Sequence, residues 1–240
     1  MDVLTSIFRS GDALCTRSVS PVVRTVVLDV PIPPARLLAD WQREISAQLG
    51  LDAGDIEALP LGRTRLRWPQ LGRCFDAVQH WMLALGMPEV LGASDVALMA
   101  SRGTPYHHDG ARYGGMAFCN VFLSEDCGAD LHFPAAGQRI ALVRGTAVVF
   151  DPCQPHAIVK RGAPGFDAAD FACATMRPQV FLTWELPIER DELQRALGIT
   201  VHGACGKASP AQGVGVCRNG APATVCPRTG RWLSPASAGP

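Results

Sequence analysis

Residues 104–110 read TPYHHDG, two histidines followed at once by an aspartate. Imidazole nitrogens and a carboxylate oxygen are metal ligands, so the first question is which of these side chains can share one ion. In an extended strand successive side chains point to opposite faces. His107 and Asp109 then face the same way and His108 faces the other, whereas a helix would not bring residues two apart together. The spacing therefore predicts His107 and Asp109 as a ligand pair and sets His108 aside. A third ligand must come from elsewhere, and His156 is the candidate: it follows the strand-like run TAVVFD and a proline-containing turn and opens the run HAIVKR. Two histidines and one carboxylate hold a metal on one face and leave its remaining positions open.

The elements that must carry these ligands are legible around them. From residue 94 onward seven short runs have strand texture: SDVALMAS, MAFCNVFL, ADLHF, QRIALV, TAVVFD, HAIVKR and QVFLTWEL. Turn-forming glycines and prolines separate them, with no helices between, which predicts an antiparallel sandwich or barrel over 94–186. About four strands fit between Asp109 and His156, enough to travel round a barrel and return. Upstream, PVVRTVVLDVPI (21–32) reads as a strand. The following segment places Leu37, Leu38, Trp41, Ile45 and Leu49 on one helical face, between an opening proline and Gly50. A second amphipathic helix is predicted over 71–85, from Leu71, Cys74, Phe75, Val78, Met82 and Leu85. Both helices need an apolar surface and are expected to buttress one sheet of the barrel from outside. ERDELQRALGI (189–199) reads as a closing helix.

Here the chain resembles the Fe(II)/2-oxoglutarate-dependent dioxygenases. The resemblance spans about residues 94–186. It rests on His107-x-Asp109, the turn and strand from Gly128 to Pro134, the strand from Gly145 to Phe150, and His156. It implies a mostly β fold with flanking helices, a double-stranded β-helix or jelly-roll barrel. It also implies Fe(II) at His107, Asp109 and His156, 2-oxoglutarate and molecular oxygen as co-substrates, and hydroxylation of a small molecule, amino acid or peptidyl side chain. An arginine at the start of the last barrel strand would bind the far carboxylate of 2-oxoglutarate, and MRPQVFLTWEL offers Arg177 there. A guanidinium fork suits a carboxylate better than a point charge. Gln179 lies on the same face two residues on, and Lys160, in phase with His156, is the rival anchor. GARYGGM (110–116) reads as a loop over the site, with Arg112 and Tyr113 as substrate contacts. Two other classes stay open: a non-catalytic barrel serving as a ligand-binding or interaction module, and a cupin-type metal protein independent of 2-oxoglutarate.

Composition bounds the rest. Lysine plus arginine (22) balance aspartate plus glutamate (22), so no global field draws the chain to nucleic acid. No apolar run reaches the roughly 18 residues needed to span a bilayer, and the N-terminus does not read as a signal peptide. Nine cysteines without a framework of spacings predict mostly reduced thiols and a cytoplasmic protein. His132 is expected to be a hydrogen-bonded structural residue. Arg63, Arg65 and Arg67 alternate as if on one face of an extended segment. The expected organisation is one domain over 1–202, with helical support over 1–93, and a Gly/Ala/Pro-rich tail over 203–240. That tail carries a hairpin signal at Asn219-Gly220. A zinc site from His202, Cys205, Cys217 and Cys226 is possible by ligand type, but its spacing lacks a second close pair.

Overall fold

The structure is a computed structural model that describes residues 2–49, 54–172, 177–202 and 213–233. Its centre is eight strands shared between two facing antiparallel sheets. Asp95–Ser101, Met116–Phe122, Thr146–Phe150 and Gln179–Pro187 lie in the larger sheet, and Thr104–His107, Ala129–Phe133, Gln138–Ala141 and His156–Lys160 form the smaller one. In the larger sheet the last strand sits between Asp95–Ser101 and Met116–Phe122; in the smaller, His156–Lys160 sits between Thr104–His107 and Ala129–Phe133. The chain thus crosses repeatedly from sheet to sheet, the topology of a double-stranded β-helix. Val23–Val27 and Ile56–Leu59 extend the larger sheet at its two edges. The seven strands read from sequence are present, and Thr104–His107, which holds the histidine motif, is the eighth.

Alternation along the larger sheet explains its two faces. Cys119, Val121, Ala147, Val149, Val180, Leu182, Trp184 and Leu186 point outward into one apolar cluster with Leu37, Trp41, Leu71, Cys74, Val78 and Met82. These last six belong to the helices Ala35–Glu44 and Leu71–Ala84, which therefore cover the outer face as their stripes require. The intervening residues Phe122, Val148, Phe150 and Phe181 point inward and meet Leu131, Phe133 and Ile158 of the smaller sheet. The first helix passes into a π-helical turn over Ile45–Leu49, and the predicted closing residue Gly50 lies outside the described residues. Asp191–Leu197 forms the late helix, ended by Gly198 at φ 63°.

Two regions differ from expectation. Arg63, Arg65 and Arg67 lie on a short helix, Leu61–Arg67, not an extended segment. Arg63 pairs with Glu44, Arg67 with Asp40, and Arg65 stands over the Phe75 ring, so the first helix and Phe75 draw this segment into a helical turn. The second region is the C-terminal segment, which composition marks as a tail. Its described part, 213–233, includes Gly215–Arg218, which pairs with Leu4–Ser10. Leu4–Ser10 and Ala13–Ser18 form an N-terminal hairpin, and with Val201–His202 and Ala221–Pro222 these strands make a separate five-stranded sheet. The hairpin signal is realised: Asn219 and Gly220 both have positive φ (52° and 83°) and join Gly215–Arg218 to Ala221–Pro222. The pairing partner, more than two hundred residues upstream, supplies the order that local composition does not.

Candidate metal centre

His107 and His156 face each other directly across two paired strands, with ring centroids 4.4 Å apart. Asp109 lies two residues beyond the strand end, on the same side as His107. Its Oδ2 is 3.7 Å from His107 Nε2 and 3.5 Å from His156 Nε2, and one ligand atom from each residue falls within 4.8 Å of the others. Among the described residues this is the group of three or more His, Cys, Asp or Glu side chains arranged to hold an ion. The three donor atoms thus converge on one point, as side chains that would share an ion must.

The backbone fixes which nitrogen each imidazole offers. His107 Nδ1 lies 2.8 Å from the Pro105 carbonyl oxygen and His156 Nδ1 lies 3.0 Å from that of Gln154. A carbonyl only accepts, so Nδ1 carries the proton and Nε2 presents its lone pair to the metal position. His156 is buried, with Phe150 and Phe133 against its ring at centroid distances of 5.0 and 6.2 Å. Burial first, and the neighbouring His107 second, pull its pKa down to about 4, so it stays neutral and able to ligate at pH 7.

His108 points the other way, as strand phase requires. Its Nε2 donates to the Ala223 carbonyl at 3.2 Å, its Nδ1 accepts from the Gly110 amide at 3.3 Å, and Trp232 lies against its ring. Burial also lowers its pKa. The C-terminal segment therefore covers the back of the metal motif. His132 faces away from the triad too, with its Nδ1 bonded to the Tyr106 hydroxyl.

The remaining expected residues fall in three places. Arg112 and Tyr113 lie on a single helical turn, Gly110–Tyr113, directly after Asp109, where a loop was expected. The Arg112 guanidinium lies 5.0 Å from the centre of the Tyr113 ring, and Tyr113 packs on Phe118. Burial and then the nearby Glu185 carboxylate raise the Tyr113 pKa. Lys160 is exposed at the far end of the His156 strand and pairs with Asp170 at 3.0 Å. Arg177 is exposed beside the start of the last strand, in a cleft with Leu38, Trp41 and Gln42 of the first helix. Gln179 is buried and donates to Cys127 Sγ, and its Oε1 has no partner. Of the zinc candidates, His202 pairs with Thr16 and Cys217 with Thr5. They sit on strands three spacings apart, about 14 Å, so one ion cannot join them; Cys205 lies outside the described residues.

Several residues at the site were not singled out from the sequence as pocket residues. Phe118, Phe133 and Phe150 line the barrel around His156, and Glu185 shares their inward face through its pairing with Phe118. Alternation on the strands, anchored by the outward Trp184 and Leu186, would have placed them inside. Asn120 and Thr183 are also inward and face each other across two strands; Asn120 Oδ1 is buried without a partner.

No family model matches the chain, and no curated protein matches its sequence. Among solved structures, a Pseudomonas putida prolyl-4-hydroxylase is 18% identical with a TM-score of 0.42, over 69% of this chain and 92% of that one. A viral collagen prolyl hydroxylase from Paramecium bursaria Chlorella virus-1, in complex with 2OG, is 11% identical with a TM-score of 0.39, over 69% and 94%. The non-heme alpha-ketoglutarate-dependent epimerase SnoN of nogalamycin biosynthesis is 12% identical with a TM-score of 0.33, over 86% and 92%. These likenesses are low, and the fold and the triad rest on the strand order and distances given above.

Proposed function

We propose that this chain is an Fe(II)- and 2-oxoglutarate-dependent oxygenase that hydroxylates a small molecule, an amino acid or a peptidyl side chain. One observation carries the reading: a two-histidine, one-carboxylate face on paired strands of a double-stranded β-helix, with both imidazoles held in the Nε2-ligating form. This donor set suits Fe(II) and leaves positions free for a keto acid and oxygen. Bound there, iron with 2-oxoglutarate would supply oxygen-driven C–H hydroxylation. The chain's own part is to orient and to exclude water: the rings of Phe118, Phe133 and Phe150 make the metal's barrel side apolar, and Tyr113 with Glu185 offers polar contacts at its mouth. Balanced charge favours a small molecule or peptide over nucleic acid. No helix is long and apolar enough to cross a membrane among the described residues.

The far carboxylate of the co-substrate is assigned to Arg177 on its charge and fork, with Gln179 beside it and Lys160 as the rival. Their placement sets a condition on that assignment. Lys160 stands four residues, about 13 Å, along its strand from His156, and Arg177 precedes the strand whose opposite end carries Glu185. Either cation meets a co-substrate at the metal only if the chain around it closes inward.

The test is 2-oxoglutarate consumption and succinate formation by the Fe(II)-loaded protein, across a panel of amino acids, peptides and methylated oligonucleotides. Stimulation by an amino acid or peptide, lost in Asp109→Ala, supports the reading. Stimulation by oligonucleotides alone would overturn the substrate class. Tight metal binding with no 2-oxoglutarate turnover under any condition would favour the non-catalytic or cupin-type barrel.

A further inference from the structure

Behind the triad lies an ion pair with no solvent contact. Arg17, on the second strand of the N-terminal hairpin, and Asp151, directly after Thr146–Phe150, are both fully buried. Arg17 Nη1 and Nη2 donate to the two Asp151 oxygens at 2.7 and 2.8 Å. The same carboxylate accepts from the Ser20 amide at 2.8 Å and from the Cys153 amide at 2.9 Å. Arg17 Nε donates to the Gly114 carbonyl at 2.5 Å, and the guanidinium also reaches the Ser18 carbonyl and Cys153 Sγ.

These bonds converge on the two loops that present the metal ligands. Residues 151–155 lead into His156. Within them, Pro152 O accepts the Asp109 amide at 2.8 Å, and Gln154 O accepts His156 Nδ1. Gly114 ends the turn that begins at Asp109, whose own carbonyl accepts the Tyr113 amide at 2.7 Å. One guanidinium therefore holds the loop that sets the Asp109 backbone and the His156 ring, and also the turn that follows Asp109. We propose that the Arg17–Asp151 pair is a positioning device for the metal centre, through which the N-terminal hairpin and its C-terminal partner strand set the separation of Asp109 and His156. The proposal rests on the metal reading of the triad.

The physical argument turns on what a buried pair does well. Desolvation offsets much of its Coulomb gain, so apolar replacement of both partners often leaves stability little changed. What an apolar pair cannot reproduce is direction: four hydrogen bonds into one carboxylate and a fork with a third arm to Gly114 fix loop position. The Pro152 and Gln154 carbonyls stand one step behind the ligands, where alteration typically changes metal affinity by about 10- to 100-fold, and the pair acts by holding the loop that carries them.

The test compares the parent chain with Arg17→Lys, which keeps the charge but loses the fork, and with the double variant Arg17→Met/Asp151→Leu. Leu98→Ala, in the apolar cluster on the outer face of the larger sheet, is the destabilised control. Co(II) affinity is measured by titration, the Co(II) absorption spectrum reports ligand geometry, and urea unfolding of the metal-free proteins reports stability. The expected result is a loss of about 10- to 100-fold in Co(II) affinity with an altered spectrum in both Arg17 variants, with Leu98→Ala keeping the parent's affinity and spectrum despite its lower stability. Should the double variant not fold, Arg17→Lys decides the matter alone. Affinity within twofold of the parent in a folded Arg17 variant, or an equal loss in Leu98→Ala, would overturn the proposal. A parent chain that binds no Co(II) would instead overturn the metal reading itself.

Discussion

Gly110 is the place to test whether the C-terminal strand is seated on the metal motif. It follows Asp109, and a Cβ built there would stand 2.4 Å from Val216 Cγ2 and 3.3 Å from Cys153 Sγ. Its backbone is not in the left-handed region, so Gly110→Ala adds no backbone strain and its cost is the contact, less about 0.4–1 kcal/mol from reduced unfolded-state freedom. Val216 is buried in the strand paired with Leu4–Ser10, and relief of the contact must move that strand or the turn after Asp109. Overpacking of this kind costs about 1–3 kcal/mol. Val216→Ala removes two buried methyl groups, about 1.6 kcal/mol at roughly 0.8 each. In the double variant the alanine at 110 occupies the space that Val216 vacates, so the two losses should not add, and a coupling of about 2 kcal/mol is expected. Urea unfolding of the parent, both single variants and the double variant gives the cycle, and Co(II) titration of the same four shows whether the metal loop moved. Additivity within about 0.5 kcal/mol, or a neutral Gly110→Ala, would refute the seating of 215–218 on the site. Truncation after residue 202, harmless if the segment were a free tail, should for the same reason destabilise the fold and loosen His108.

His107→Ala, Asp109→Ala and His156→Ala should each abolish Co(II) binding while His108→Ala retains it; retention in His107→Ala with loss in His108→Ala would reverse the strand phase. If Arg177 anchors the far carboxylate, Arg177→Ala should weaken 2-oxoglutarate binding to the Fe(II)-loaded protein by roughly 10- to 100-fold, the worth of about 1.5–3 kcal/mol for a charged hydrogen bond, with a small effect in Lys160→Ala. The reverse pattern would move the anchor to Lys160, and no effect in either would leave the inward Asn120 and Thr183 as the polar contacts. Among the described thiols, Cys226 should be the first alkylated by iodoacetamide in the native protein. Its hydrogen bond with Thr229 lowers its pKa, while burial raises Cys74 and Cys153 to about 12; peptide mass mapping that found Cys153 modified before Cys226 would contradict this.

The triad was legible because its signal is local. Period-two alternation separates His107 from His108 with no knowledge of the fold, and the count of strands between Asp109 and His156 brings the second histidine back beside the first. The helices were legible because a stripe such as Leu71, Cys74, Val78 and Met82 states its own period. The short helix Leu61–Arg67 was not, since its three arginines alternate like a strand and only Asp40, Glu44 and Phe75 draw them into a helical turn. The N-terminal hairpin was missed and the strand Gly215–Arg218 was read only as one arm of a local hairpin, because the pairing that orders both joins segments more than two hundred residues apart.

The support of the metal centre lies at the same limit. Asp151 in FDPCQPH and Arg17 in ALCTRS look like ordinary surface charges, because nothing within either segment indicates burial. They are partners across 134 residues, and both are buried because a single fork satisfies the carboxylate while the surrounding amides and carbonyls satisfy the rest. Ligands are chosen by donor chemistry, which residue type announces. Their spacing is set by groups whose chemistry is ordinary and whose placement is not, so a substitution far from His107, Asp109 and His156 in sequence, at Arg17 above all, is where the site should prove most sensitive without any ligand being touched.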